Sequence, residues 1–143
     1  MKGTLVYSSK RAKELLLSEK YFMCYAWNKL YKSELFQNVT FPECKIYEDI
    51  ITTYSLINMS KTVVFTEECL YHYRIRNESI TKKGFSRQEY DLLDAIRHIM
   101  NENFENANVL EGCALYYLYF IDDMIQDFED NFDLEWEKIK FTE

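Results

Sequence analysis

The chain has 143 residues, 48% of them apolar, so it is long enough and apolar enough to fold as one domain around a real core. Net charge is −7 with no basic tract, which argues against non-specific nucleic-acid binding, since phosphates need clustered Lys and Arg. Aromatics reach 17%, with 12 Tyr and 10 Phe. That richness suits wide half-polar surfaces such as carbohydrate or partner contacts, and equally a Tyr-heavy core.

The predicted elements follow in chain order. Nothing at Met1-Lys2-Gly3 reads as a signal peptide. Ser8-Ser9 caps a helix with apolar positions Ala12, Leu15 and Leu16. Residues 21–31 are dense in large side chains, and their second half reads as a short helix to about Phe36. Residues 37–45 form a loop punctuated by Pro42, the only proline. An amphipathic helix then opens at Glu48-Asp49, with an apolar stripe at Tyr47, Ile50, Ile51, Tyr54 and Ile57, and runs to about Ser60. Two acids in a first turn complement the helix dipole by a few tenths of a kcal/mol each.

Residues 62–65 are β-branched and aromatic and read as a short strand. Residues 70–76 alternate and read as a second strand, with His72, Arg74 and Arg76 on one face and Tyr71, Tyr73 and Ile75 on the other. Two guanidiniums beside Ser79 and Thr81 suit a phosphate-bearing ligand, or simply a solvated cationic edge paired to acids. Residues 77–85 are a loop containing Gly84.

Ser86 and Glu89 form a capping box for a helix with Tyr90, Leu93, Ile96, Ile99 and Met100 on one face. A polar break at 101–108 precedes a long helix from Val109 to about Asp130. It is apolar nearly all round over 113–121, as for a helix buried among others or against a partner. That run is far short of the ~20 residues of a membrane span. Asp133 caps a short last helix with Leu134, Trp136 and Ile139. The four cysteines, Cys24, Cys44, Cys69 and Cys113, lack the spacing of a zinc or redox motif and read as buried thiols in a reducing cytoplasm. The fold class is mainly α (α+β), a helical domain with two short central strands.

Four motifs stand in a set order: Trp27-Asn28-Lys29-Leu30-Tyr31-Lys32, Phe41-Pro42, Tyr47-Glu48-Asp49, and the stretch from Leu70 through Tyr73-Arg74-Ile75-Arg76 to Ser79-Ile80. Their order and spacing resemble the second half of the catalytic domain of family 2 glycosyltransferases with the GT-A fold. The nearest likeness is to bacterial enzymes that build surface polysaccharides. The resemblance is clear from Leu5 to Thr81 and fades by Asn103. It implies an acceptor-side portion over 1–85, with a C-terminal helical extension over 86–143 packed on it as one compact unit. Asp49, with Glu48 beside it, matches the Glu-Asp pair whose Asp deprotonates the acceptor hydroxyl, and a helix N-terminus would lower its pKa and keep it ionised. Trp27, Asn28 and Lys29 match the acceptor-lining segment, where an aromatic face stacks on a sugar or packs in the core. Arg74, Arg76 and Ser79 match a segment near the donor diphosphate. A late His approaches the metal in some GT-A enzymes, which would give His72 that place, but the family often has Tyr there, so no metal ligand is assigned.

The departures matter as much. The family's nucleotide-binding half ends in an Asp-x-Asp strand that holds Mg²⁺ or Mn²⁺ on the nucleotide-sugar, and these residues contain no such motif. Asp122-Asp123 follows the Glu-Asp helix and reads as a solvated helix face. The resemblance therefore implies a glycosyltransferase fragment with no cofactor of its own, inactive alone, in transfer of sugar from a nucleotide-sugar to a glycan or lipid-linked acceptor. Expected partners are a second copy or a separately encoded first half, because the strands near Val63 and Tyr73 would lose their neighbours. The expected location is cytoplasmic, peripheral to a membrane only through a larger enzyme. The rival reading is a non-catalytic helical interaction module, in which Glu48, Asp49, Arg74 and Arg76 serve only in ion pairs. A third, a metal hydrolase, lacks ligands, since there are only two histidines.

Overall fold

The computed structural model describes residues 3–18, 22–74 and 86–140, with residues 130–140 described for the backbone alone. The described elements are strand β1 (Thr4–Ser8), helix α1 (Ser9–Leu17), helix α2 (Glu48–Met59), strand β2 (Thr62–Thr66), helix α3 (Tyr90–Glu102) and helix α4 (Ala107–Lys140). Short 3₁₀ turns at Ser33–Gln37 and Arg87–Glu89 complete them. The fold is mainly helical with one small antiparallel sheet, as the patterns imply.

The sheet pairs β1 with β2 in the register Leu5↔Phe65, Val6↔Val64 and Tyr7↔Val63. The partner of β2 is thus the segment just before α1, and not residues 70–74. Residues 70–74 are in no ladder, and 75–76 lie outside the described residues. The helix-capping serine at Ser8 conceals β1 in the sequence, because a five-residue strand next to a cap carries little period of its own. Tyr7, Val63 and Phe65 lean inward, while Val6 and Val64 face out. A two-stranded ribbon is marginal by itself. Ser9 anchors this one by donating from Oγ to the carbonyl of Ile57 at 2.8 Å, tying the start of α1 to the end of α2.

The core lies between the four helices. It takes Ala12, Leu16 and Leu17 from α1, and Ile50, Tyr54 and Ile57 from α2. The later helices add Leu92, Ile96 and Ile99 from α3, and Val109, Cys113, Tyr116 and Phe120 from α4. On α2 the predicted Ile50, Tyr54 and Ile57 are buried and Tyr47 and Ile51 partly so, while Thr52, Thr53 and Leu56 are buried beyond the predicted stripe. On α3 the buried face is rotated toward Leu92 and Ala95, leaving Tyr90 half exposed and Leu93 and Met100 at the margin. Helix α4 buries a single stripe, and Leu118, Ile121 and Ile125 on its other side are exposed. It also runs on through Asp133, where a new helix was expected, because no Gly or Pro interrupts the segment.

Gly112 sets the distance between α1 and α4. A Cβ there would lie 2.6 Å from Leu17 Cβ and 3.1 Å from the Leu17 carbonyl carbon and oxygen, so only glycine allows this approach.

Candidate active site

Helix α2 begins abruptly. Tyr47 holds a left-handed backbone (φ 57°, ψ 24°), and the next residue is already helical. Such a conformation costs an aromatic residue about 1 kcal/mol or more. Only two other non-glycine residues among those described share it, Cys44 and Asn28. All three lie in the two loops that flank the start of α2, and strained backbone tends to gather where a side chain must be aimed.

Glu48 and Asp49 are the first two residues of α2, both half-buried. Burial raises the Asp49 pKa above the ordinary carboxylate value, and the neighbouring charge of Glu48 pushes it the same way. The backbone N–H groups of Asp49 and Ile50 and the charge of Lys29 pull it back only in part. The helix N-terminus was expected to win and lower it. Burial outweighs the dipole because the carboxylate is partly withdrawn from water.

Lys29 reaches Asp49 from the preceding loop. Its ammonium donates to the main-chain carbonyls of Met23 (2.8 Å) and Tyr25 (2.6 Å) and to Asn28 Oδ1 (3.2 Å). An ammonium has three N–H bonds, and all three are taken. Lys29 is therefore a clasp for its own loop and a counter-charge for Asp49. Asn28 is the clasp's side-chain ligand, and its left-handed backbone turns the chain there. This clasp replaces the short helix expected before Phe36, of which only the 3₁₀ turn Ser33–Gln37 forms. Further along, the Tyr31 hydroxyl meets Thr53 Oγ1 on α2 at 3.4 Å, and burial raises the Tyr31 pKa.

Trp27 sits in a ladder of rings. Tyr25 stacks on it at 4.7 Å between centroids, Tyr71 at 5.3 Å, and Tyr73 is tilted against it at 4.8 Å. The indole is half-buried, whereas Tyr25, Tyr71 and Tyr73 are 41%, 51% and 57% exposed. Exposed ring surface thus belongs to Tyr71 and Tyr73 more than to Trp27. Sequence reading missed them because Tyr25 and the pair 71/73 are far apart in the chain, and only the fold stacks them.

Arg74 follows Tyr73 directly and is exposed. Arg76 and Ser79 lie outside the described residues. Among the described residues, Glu48, Asp49 and Arg74 take part in none of the ion pairs. The loop 23–31 thus links the parts: Lys29 acts on Asp49, Trp27 holds 71 and 73, and Arg74 is next in line.

Among the described residues no three His, Cys, Asp or Glu side chains gather as a metal site. Cys24 and Cys113 are buried as expected, but Cys44 and Cys69 are exposed, because they lie in loops outside the helical core. Burial raises the Cys113 thiol to about 11. Asp122 and Asp123 are exposed on α4. No helix among the described residues is long and apolar enough to cross a membrane.

Over 71 residues, half of the chain, the sequence is 34% identical to Glycosyltransferase GlyA of Streptococcus pneumoniae serotype 4. The chain spans about a tenth of the length of that curated relative. No protein-family description and no solved structure matches the chain.

Proposed function

We propose that this chain forms the acceptor side of a sugar-transfer site, in a family 2 glycosyltransferase of GT-A fold that builds cell-surface polysaccharide. The observation that carries the reading is Asp49: a half-buried carboxylate of raised pKa at a helix start, in no ion pair among the described residues, acted on by Lys29 of the loop that also carries Trp27 and its stacked rings. The partial likeness to a glycosyltransferase supports the same class. In the proposed reaction Asp49 accepts the proton of an acceptor hydroxyl. The freed oxygen bonds to the anomeric carbon of the donor sugar, and the bond from that carbon to the nucleoside diphosphate breaks. A raised pKa strengthens a carboxylate as a base. Glu48 sustains that elevation, Lys29 limits it, and the tyrosine rings beside Trp27 receive the glycan or lipid-linked acceptor. Arg74, Arg76 and Ser79 meet the donor diphosphate.

In the complete enzyme a Mg²⁺ or Mn²⁺ ion would neutralise the leaving diphosphate. The described residues offer it no ligand set, so no step here passes through a metal held by this chain. The donor is held by a further half, either part of the same polypeptide or a separate partner, and these residues alone are inactive because no bound leaving group meets the base.

The test replaces the matched segment of GlyA with the corresponding segment of this chain and measures sugar transfer from a panel of nucleotide-sugars. Transfer should persist and should fall by about a thousandfold with Asp49→Asn. Equal rates for the chimera and its Asp49→Asn variant would overturn the assignment.

A further inference from the structure

The loop that aims Asp49 is not held by its own neighbours. Residues 44–47 contain two left-handed residues, Cys44 and Tyr47, and no side chain caps the start of α2. Their partners come from the start of α3, more than forty residues on. Asp91 accepts from Lys45 Nζ at 3.0 Å with one oxygen and from the Ile46 backbone N–H at 3.3 Å with the other. Glu89 accepts from the Tyr47 hydroxyl at 2.5 Å. Asp94 adds a longer contact of 3.6 Å to Lys45. Three consecutive loop residues, Lys45, Ile46 and Tyr47, are each bonded to Glu89 or Asp91.

The acidic pair is in turn fixed by packing. Tyr90, between the two acids, meets Phe120 of α4 edge-on at 5.4 Å, and Leu92 is buried against the core. The route of support is continuous: α4 seats α3, the start of α3 and the turn before it present Asp91 and Glu89, and these hold the strained loop that leads into α2 and Asp49.

We infer that Asp91 and Glu89 are positioning residues for the proposed base Asp49, so that the C-terminal helices serve the chemistry by clamping the loop at 44–47. The inference rests on the reading of Asp49 as the base. Neither acid touches a reacting atom. A loop with two left-handed non-glycine residues loosens when its outside partners are withdrawn, because the partial packing of Tyr47 against the core is then left to hold it. Asp49 would then gain solvent and lose its fixed direction.

The experiment follows the loop itself, on the full chain, by NMR. Amide hydrogen exchange is recorded at Ile46 to Ile51, together with the titration of the Asp49 carboxyl carbon, for wild type, Asp91→Asn, Asp91→Ala and Tyr47→Phe. Asp91→Ala should speed exchange over this segment by about tenfold, the equivalent of one charge-assisted hydrogen bond, while α1 and α4 keep their protection. The Asp49 midpoint should fall toward the ordinary aspartate value as the carboxylate becomes wetter. Asp91→Asn, which keeps an acceptor oxygen for the Ile46 N–H, should restore most of the protection. Tyr47→Phe, which removes only the Glu89 bond, should show a smaller change of the same kind. Unchanged exchange and an unchanged Asp49 midpoint in Asp91→Ala would overturn the inference. So would uniform loss of protection across all helices in both Asp91→Asn and Tyr47→Phe, since the residues would then hold the whole fold. These readouts need no sugar substrate. Failure of Asp49→Asn to reduce transfer would refute the base and leave the clamp standing.

Discussion

Replacing Lys29 with methionine keeps the length of the side chain and removes its charge and donors. The ammonium makes two bonds to main-chain carbonyls, at 2.8 and 2.6 Å, and one to Asn28 at 3.2 Å. Hydrogen bonds to a charged group contribute about 1.5–3 kcal/mol each when dry. The loop is half-exposed and water can replace part of what is lost, which lowers the sum to roughly 3–4 kcal/mol. Freeing an ordered lysine returns about 1.5–2 kcal/mol of rotamer entropy. The net loss is about 2 kcal/mol, or about 6 °C in melting temperature for a chain of this size. A second effect separates this from ordinary damage. Lys29 is the positive charge that restrains the Asp49 pKa, so in the Met variant that pKa should rise further. Differential scanning calorimetry gives the first quantity and a carboxyl NMR titration the second. A melting temperature within about 1 °C of wild type, with an unmoved Asp49 midpoint, would refute the clasp.

Asp49→Asn should be more stable than wild type at pH 7. The folded-state pKa is raised, so the stability of the wild type is greatest below the unfolded value and falls as pH rises through the folded one. The gain should vanish near pH 3, and a loss of stability at pH 7 in urea melts would count against burial as the cause. Glu14 has the opposite sign. Its buried carboxylate is held below the ordinary range mainly by Arg11, so its contribution is present at neutral pH and lost as pH falls through its folded value. Glu14→Gln should lower stability at pH 7 by about 1–2 kcal/mol and change little at the acid end, as checked by melts at both pH values. Gly112→Ala gains up to about 1 kcal/mol of helix propensity but meets Leu17 backbone that no rotamer can move, for a net loss of about 1–2 kcal/mol by chemical denaturation. Gly3→Ala, whose Cβ would find only Glu67 Oε2 at 3.7 Å, is the matched control and should change little.

Helix α2 was legible because its signals are local: a proline-marked loop, acids in the first turn and a 3.6-residue stripe ending at Ile57. The same holds for the buried pair Ile96 and Ile99, but the capping box at Ser86 and Glu89 does not close: Ser86 accepts from Gln88 at the head of the 3₁₀ turn, and the Glu89 carboxylate is drawn away to the Tyr47 hydroxyl. What failed to show was decided by distant partners. Strand β1 exists only because β2 arrives more than fifty residues later, and the alternation at 70–74 finds no strand to join. Tyr71 and Tyr73 turn instead to Trp27, a contact no period encodes. Asp49 was visible as a candidate, yet the sign of its pKa shift was not, because burial depends on neighbours from other elements. Lys29 matched an acceptor-lining segment by resemblance, and its bonds to the main chain of its own loop could not be read from the sequence because they depend on how that loop turns.

The clasp has a consequence for drift. Two of its three oxygens belong to peptide groups, so positions 23 and 25 contribute nothing to it through their side chains. The knot around the amine therefore survives a change of either side chain, and what restrains position 25 is a different duty, the stacking of its ring on the indole at 27.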